Sequence, residues 1–324
     1  MSSMDGAIGI IFLSQIIFGI LGNFCLLYHY TFLHLTDYRV RYTDLILRHL
    51  FVANFLVILS KGVPQTIAAF GWKYFLSDFE CKLLFYVQRV ARGVSIESTC
   101  LLSTFQAITI GPRNSRWARL KVKAPKYAGF STILCWTLNM LINTIFPLYV
   151  SGKWINRNIT MKRDYGYCHA VFRDKITDSL FAALVLFPDI LCLGLILWAS
   201  SSMIFILHRH KQQVQHIHRT NASHRSSPES RATQSILVLV STFVFFYTLS
   251  SIFQVHLTLF NNPSRLMVNI SELLSGCFPT LSPFFFMSCD SSVSKLCFAW
   301  IRNTKYPNLI RYMKVVCAFT KISC

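Results

Sequence analysis

Long apolar stretches alternate with short basic ones along this chain. Between Asp5 and Asp37 there is no Asp, Glu, Lys or Arg. The core of that stretch, residues 7–30, matches the roughly 20 predominantly apolar residues that carry a helix across a bilayer. Six further stretches of similar length follow, at 49–72, 83–110, 127–150, 179–207, 234–259 and 266–288. Most are apolar around the whole helical circumference rather than along one stripe, the mark of helices facing lipid or a membrane-embedded core. The pattern predicts an all-α membrane protein, a seven-transmembrane helix bundle in a single domain.

The predicted spans contain few charges: Lys61 in the second, Arg89, Arg92 and Glu97 in the third, Asp189 in the fifth and Glu272 in the seventh. The chain is 53% hydrophobic and 14% charged, against about 25% charged for soluble globular proteins. Its 28 Phe, 13 Tyr and 6 Trp exclude intrinsic disorder.

A net charge of +19 over 324 residues invites a nucleic-acid reading, which the location of the charge removes. Arg39, Arg41 and Arg48 precede the second span. Arg113, Arg116, Arg119, Lys121, Lys123 and Lys126 lie between the third and fourth, and Arg209, Lys211, Arg219, Arg225 and Arg231 between the fifth and sixth. With six more in the tail, one face carries 20 of the 32 basic residues, and the opposite face carries 9. Lys and Arg accumulate on the cytoplasmic side, so the N-terminus is expected to be extracellular and the tail, residues 289–324, cytoplasmic. No basic region precedes the first apolar run, so that run is expected to act as a signal anchor.

Of 11 cysteines, Cys81 and Cys168 alone fall in the predicted extracellular segments. Thiols on the cytoplasmic side stay reduced, whereas two cysteines on the oxidising side invite a disulfide. Asn158-Ile159-Thr160 is a glycosylation sequon in the same predicted outer loop as Cys168. Asn221-Ala222-Ser223 fits the pattern but falls on the cytoplasmic side.

Seven spans, an extracellular N-terminus and a span-three cysteine facing one in the second outer loop together resemble a G-protein-coupled receptor of rhodopsin-like architecture. Gly22-Asn23, Trp136, Pro188 and Pro283 stand as landmarks in the expected order. The departures narrow the resemblance. Asn54 stands where rhodopsin-like receptors carry an Asp, Phe105-Gln106-Ala107 replaces Asp-Arg-Tyr, and Ser282-Pro283-Phe284-Phe285-Phe286 replaces Asn-Pro-x-x-Tyr. That set is similar to the vomeronasal type-1 receptors, a pheromone-receptor family. The strings Ala53–Gly62, Ser98–Ile108, Ser241–Val244, Phe246–Ser251 and Lys295–Trp300 also resemble it. The resemblance implies a multi-pass plasma-membrane receptor for small odorant-like molecules, acting on a Gi/Go-type heterotrimeric G protein, with no cofactor. Gln106, Arg113 and Arg116 then fall in the G-protein coupling region. A bitter-taste-type receptor shares the short N-terminus and the degenerate motifs; the span-two and span-three strings favour the vomeronasal reading.

Charged side chains inside spans are costly and mark functional or paired positions. Arg89 and Arg92, three apart, share a helix face below Cys81, at the depth of a ligand cavity. Lys61 and Glu272 can reach the same cavity, or Glu272 can form a structural ion pair with a basic residue; both readings stand. Excess basic charge there suits acidic or sulfated ligands. Glu97 points elsewhere, toward an interhelical contact, and Asp189 follows Pro188 as a packing residue. Asn54 is expected to make polar contacts across the bundle rather than hold an ion. Without the Asp-Arg latch, the barrier to a transducer-binding state falls, which predicts basal signalling.

Other classes find less support. His208, His210, His216, His218 and His224 have no cysteine or carboxylate cluster beside them, so a solvated basic loop near anionic lipid is expected rather than a metal site. No nucleophile–base pair or phosphate loop points to an enzyme. No pore-lining polar register or inverted repeat points to a channel or transporter.

Overall fold

The computed structural model describes residues 3–36, 42–111, 117–151, 162–165, 167–171, 175–217, 228–259 and 265–289. Eight α-helices account for most of them: α1 (Ser3–Thr36), α2 (Tyr42–Val57), α3 (Val63–Ala69), α4 (Asp78–Ile110), α5 (Trp117–Ile142), α6 (Lys175–Ile217), α7 (Pro228–Leu259) and α8 (Arg265–Cys289). A π-helical turn, Ile58–Gly62, joins α2 to α3 into one rod. Five of the predicted spans fall within a helix; the second, 49–72, overruns the rod, which ends at Ala69, and the fourth, 127–150, leaves α5 at Ile142 for a 3-10 stretch over Asn143–Tyr149. The second begins at Tyr42, a full turn and more before residue 49.

By length and apolarity, four of these segments suffice to cross a membrane: Gly6–Phe32, Tyr42–Ala69, Lys126–Ile145 and Phe187–Ile206, with a shorter apolar stretch at Leu237–Phe253. Within α4, Arg89, Arg92 and Glu97 fall among several Ser and Thr residues, and α8 carries Glu272. The surface has the character expected in lipid. Phe130, Ile133, Phe187, Ile190, Phe205 and Phe245 each expose more than 60% of their area. The interior sets buried polar groups, including Asn23, Asn54, Ser98, Thr99, Ser103 and Ser282, among a core of apolar side chains such as Leu26, Leu50, Phe51, Leu102 and Phe284. With no solvent to drive apolar burial between helices, small and hydrogen-bonding residues hold such a bundle together.

Two local breaks shape the site. Pro64 has no N–H, and its ring would collide with the Ser60 carbonyl in a regular helix. The extra residue of the π turn relieves this conflict, and the wider turn carries Lys61, 8% exposed, into the bundle. After α3, Gly71 adopts φ 102°. Its N–H bonds the Ala68 carbonyl while Trp72 N–H bonds that of Ile67, a left-handed helix stop that favours glycine.

At the other end of this connection Ser77 caps α4. Its hydroxyl accepts the Glu80 N–H, and its own N–H donates to the Glu80 carboxylate at 2.7 Å, a reciprocal capping box. The bond from the Ser77 backbone holds the Glu80 carboxyl below its ordinary range.

Hydrogen bonds then fasten the bundle. Asn54 Oδ1 accepts from Ser95 Oγ at 2.8 Å, and its Nδ2 donates to Ser282 Oγ at 3.1 Å, tying α2, α4 and α8. Asn23 Nδ2 donates to the Pro279 carbonyl at 2.9 Å, tying α1 to α8. Trp136 Nε1 donates to His49 at 3.2 Å, tying α5 to α2.

The connection between α5 and α6 contains a small antiparallel sheet that the apolar pattern did not suggest. Its strands are β1 (Val150–Ser151), β2 (Lys162–Asp164) and β3 (His169–Val171), in the order β1-β3-β2. Val150 pairs with Ala170 and Asp164 with His169.

Candidate ligand site

The disulfide Cys81–Cys168 pins this sheet to the N-terminal end of α4, with a Cα–Cα distance of 6.0 Å. Both cysteines are fully buried and pack with Val150 and Tyr167, with Phe85 and Tyr165 against them. Phe85 meets the Tyr165 ring at 5.2 Å between centroids and the Tyr167 ring at 6.1 Å. Burial pushes the Tyr167 phenol well above its ordinary pKa, with the Glu272 charge a secondary cause. The sheet therefore stands close to the charges inside the bundle. Cys100, Cys135, Cys192 and Cys277 are free.

Inward of the sheet, α4, α7 and α8 leave a small cleft. Phe243 and Phe278 give it aromatic walls, and Ser95 and Ser275 contribute hydroxyls. Arg92 supplies a cation. Its guanidinium carbon lies 5.3 Å from the centroid of the Tyr247 ring, a cation–π distance. The Tyr247 hydroxyl donates to Asp189 Oδ2 at 2.8 Å. Arg92, Tyr247 and Asp189 thus bridge α4, α7 and α6. Arg89, a turn closer to the sheet, has Arg92, Asp189 and Tyr165 as electrostatic neighbours.

Lys61 and Glu272 pair with each other. Lys61 Nζ lies 2.6 Å from Glu272 Oε2, each side chain about 10% exposed, and Lys61 also bonds the Ser275 hydroxyl. Since Ser275 lines the Arg92 cleft, the ion pair stands just behind its wall. The four charges of the predicted pocket therefore separate into a neutral pair and two arginines. Glu97 turns toward α5, within hydrogen-bond reach of Cys135 and Asn139. Asn139 sits so close to α4 that a Cβ at Gly93 would overlap its carboxamide.

Asp189 and Tyr247 were not recognised as site residues from the sequence. Asp189 could have been suspected as the lone acid of its span; Tyr247, in an aromatic-rich segment, carries no distinguishing signal. Gln106, of the predicted coupling region, is 7% exposed. Arg113, Arg116 and Asn158 lie outside the described residues. Among the described residues, no three His, Cys, Asp or Glu side chains converge as a metal site would require.

Exposed apolar helix faces, buried polar ties between helices and a cation-bearing cleft beneath a disulfide-tethered loop fit a helical membrane protein. The sequence profile of the vomeronasal organ pheromone receptor family matches residues 6–299. Human vomeronasal type-1 receptor 4 is 61% identical over 302 residues, covering 93% of this chain and 100% of that receptor. Human vomeronasal type-1 receptor 3 is 55% identical over 313 residues, 96% of this chain and 100% of the relative. The zebrafish olfactory receptor class A-like protein 1 is 30% identical over 283 residues, 87% and 89% of the two chains. The chain belongs to the vomeronasal type-1 receptor family.

Proposed function

We propose that this chain is a pheromone or chemosensory receptor of the plasma membrane, crossing the bilayer seven times with its N-terminus outside. It takes a small molecule into the α4–α7–α8 cleft and activates a Gi/Go-type heterotrimeric G protein through its cytoplasmic loops. One observation carries the ligand assignment: Arg92 lines a small cleft beside Phe243, Phe246, Tyr247 and Phe278. A cation in an apolar cleft favours an anionic group on the ligand, because charge-assisted hydrogen bonds strengthen as water is excluded.

Arg92 and Arg89 supply this attraction. Lys61 and Glu272, neutralised by each other, shape the wall through Ser275. Gln106, Arg113 and Arg116 belong to the coupling region, the loop basic residues rest against anionic lipid, and Asn158 carries a glycan. The test is a calcium and cAMP screen of volatile and steroid panels in cells expressing the surface-tagged chain, with and without pertussis toxin. A toxin-sensitive response to an acidic compound supports the proposal. Robust surface expression with toxin-insensitive responses contradicts the coupling, and responses confined to cationic compounds contradict the ligand chemistry.

A further inference from the structure

A cation inside a helix bundle needs a partner, because apolar surroundings cannot solvate it as water does. Lys61 has Glu272 at 2.6 Å. Arg92 forms no ion pair among the described residues. It lies over the Tyr247 ring, and Asp189 reaches it only through the neutral Tyr247 hydroxyl. The charges that act on one another here are Lys61, Arg89 and Arg92 against Glu272 and Asp189. Three cations against two carboxylates leave one positive charge. Glu97 turns away, to Cys135 and Asn139 of α5.

A hydroxyl stands beside this excess charge. Ser250, three residues after Tyr247 and so on the same face of α7, lines the cleft with Arg92. It is 2% exposed, and its Oγ has no hydrogen-bond partner among the described residues. Buried hydroxyls are nearly always paired. A water would satisfy Ser250 but bring no charge to Arg92. An anion accepts from both, and hydrogen bonds to an ionised partner are the stronger ones.

The space decides which anion. The cavity volume is about 40 Å3, and a water takes about 30 Å3 in the liquid. A monatomic anion little larger than water fits without moving a helix. Any organic acid must first part the helices. Ile96, Phe246 and Phe278 wall the cleft, and such apolar walls suit a weakly hydrated ion.

We propose that the Arg92 cleft holds a halide, chloride in physiological media, as the counter-ion of the resting bundle, with Arg92 and Ser250 donating to it. The site follows from local charge and one hydroxyl, and it stands whether or not an organic ligand enters the same cleft. Where an acidic ligand does enter, it displaces the halide from Arg92.

The experiment uses the full-length receptor purified in nanodiscs of neutral lipid. Thermal unfolding is followed with a thiol-reactive dye as sodium chloride replaces sodium isethionate at constant ionic strength. Tm should rise by about 1–3 °C and level off, as for a site loaded to several times its dissociation constant, and bromide should act alike. Arg92→Gln should abolish the rise. Ser250→Ala should increase the half-saturating chloride concentration about fivefold, the worth of one hydrogen bond. Lys82→Ala, in an exposed pair with Asp78, should keep the wild-type curve. If Arg92→Gln does not fold, Ser250→Val, which fills the cleft, should abolish the rise instead. An equal rise in wild type and every variant means an adventitious ion only, and no rise means that water alone fills the cleft; either overturns the proposal. Agonist is absent throughout, so a flat chloride curve leaves the ligand assignment standing, and a failed agonist screen leaves the halide site standing.

Discussion

Replacing Glu272 with Gln removes half of an ion pair whose members are each about 10% exposed. The substitution keeps the shape and hydrogen-bonding capacity of the side chain, so it isolates the charge. Lys61 is then left among Phe12, Ile16 and Ile58 with no opposite charge in contact. Breaking a buried pair in this way costs about 3–5 kcal/mol. A kcal/mol lowers Tm by about 2–4 °C in domains of about 150–250 residues and by less in a longer chain, so the melting temperature should fall by several degrees, about 20 °C at most.

The free thiols Cys100, Cys135, Cys192 and Cys277, buried or half-buried, allow a thiol-reactive dye to follow unfolding of the receptor in nanodiscs. Lys61→Met should cost a similar amount. The double variant Lys61→Met/Glu272→Leu should recover most of the loss, because a well-packed apolar pair replaces a buried ion pair at little net cost. Single variants melting within about 1 °C of the wild type, or a double variant worse than both singles combined, would refute a structural role for the pair.

Other substitutions probe the remaining ties. Cys168→Ser opens a link spanning 87 residues; loop closure of that size contributes at most about 4–5 kcal/mol, and surface expression by flow cytometry should fall sharply, whereas Cys192→Ser should be tolerated. Asn54→Leu strands the Ser95 and Ser282 hydroxyls, which bond it in the bundle, at a cost of about 1–3 kcal/mol, read as a lower Tm in the same dye assay. Tyr247→Phe or Asp189→Asn breaks the Arg92–Tyr247–Asp189 bridge and frees α6 and α7 from α4. If the bridge holds the resting arrangement, ligand-independent signalling should rise about five- to tenfold, the equivalent of about 1–1.4 kcal/mol; basal signal unchanged at equal surface level would exclude that role.

The bundle was legible because lipid imposes a blunt rule: backbone polar groups must be paired within each helix, and side chains facing out must be apolar. That rule writes itself as long apolar runs, hence the match between predicted spans and helices. It says less about ends, so Tyr42–Arg48 escaped, being amphipathic rather than apolar. The charged positions were legible for the same reason, since a Lys or Glu inside such a run stands out. Their partners were not. Lys61 and Glu272 are distant in sequence, and only the π turn imposed by Pro64 aims Lys61 at α8. Asn54 was read as a polar crosslink, as found, because an uncharged carboxamide in a span has few other uses. The small sheet was missed because two- and three-residue strands leave no periodicity, and Asp189 was set aside as packing because its partner, Tyr247, is an aromatic among aromatics.

The measurement that bears most directly on ligand recognition is the concentration–response of wild type and Arg92→Gln to an acidic agonist drawn from the panel, read as cAMP inhibition at matched surface levels. A charged hydrogen bond of about 1.5–3 kcal/mol predicts a midpoint raised about 10- to 150-fold, with the maximal response to a neutral direct activator of the G protein unchanged. A midpoint that does not move would place the ligand outside the α4–α7–α8 cleft and contradict the account.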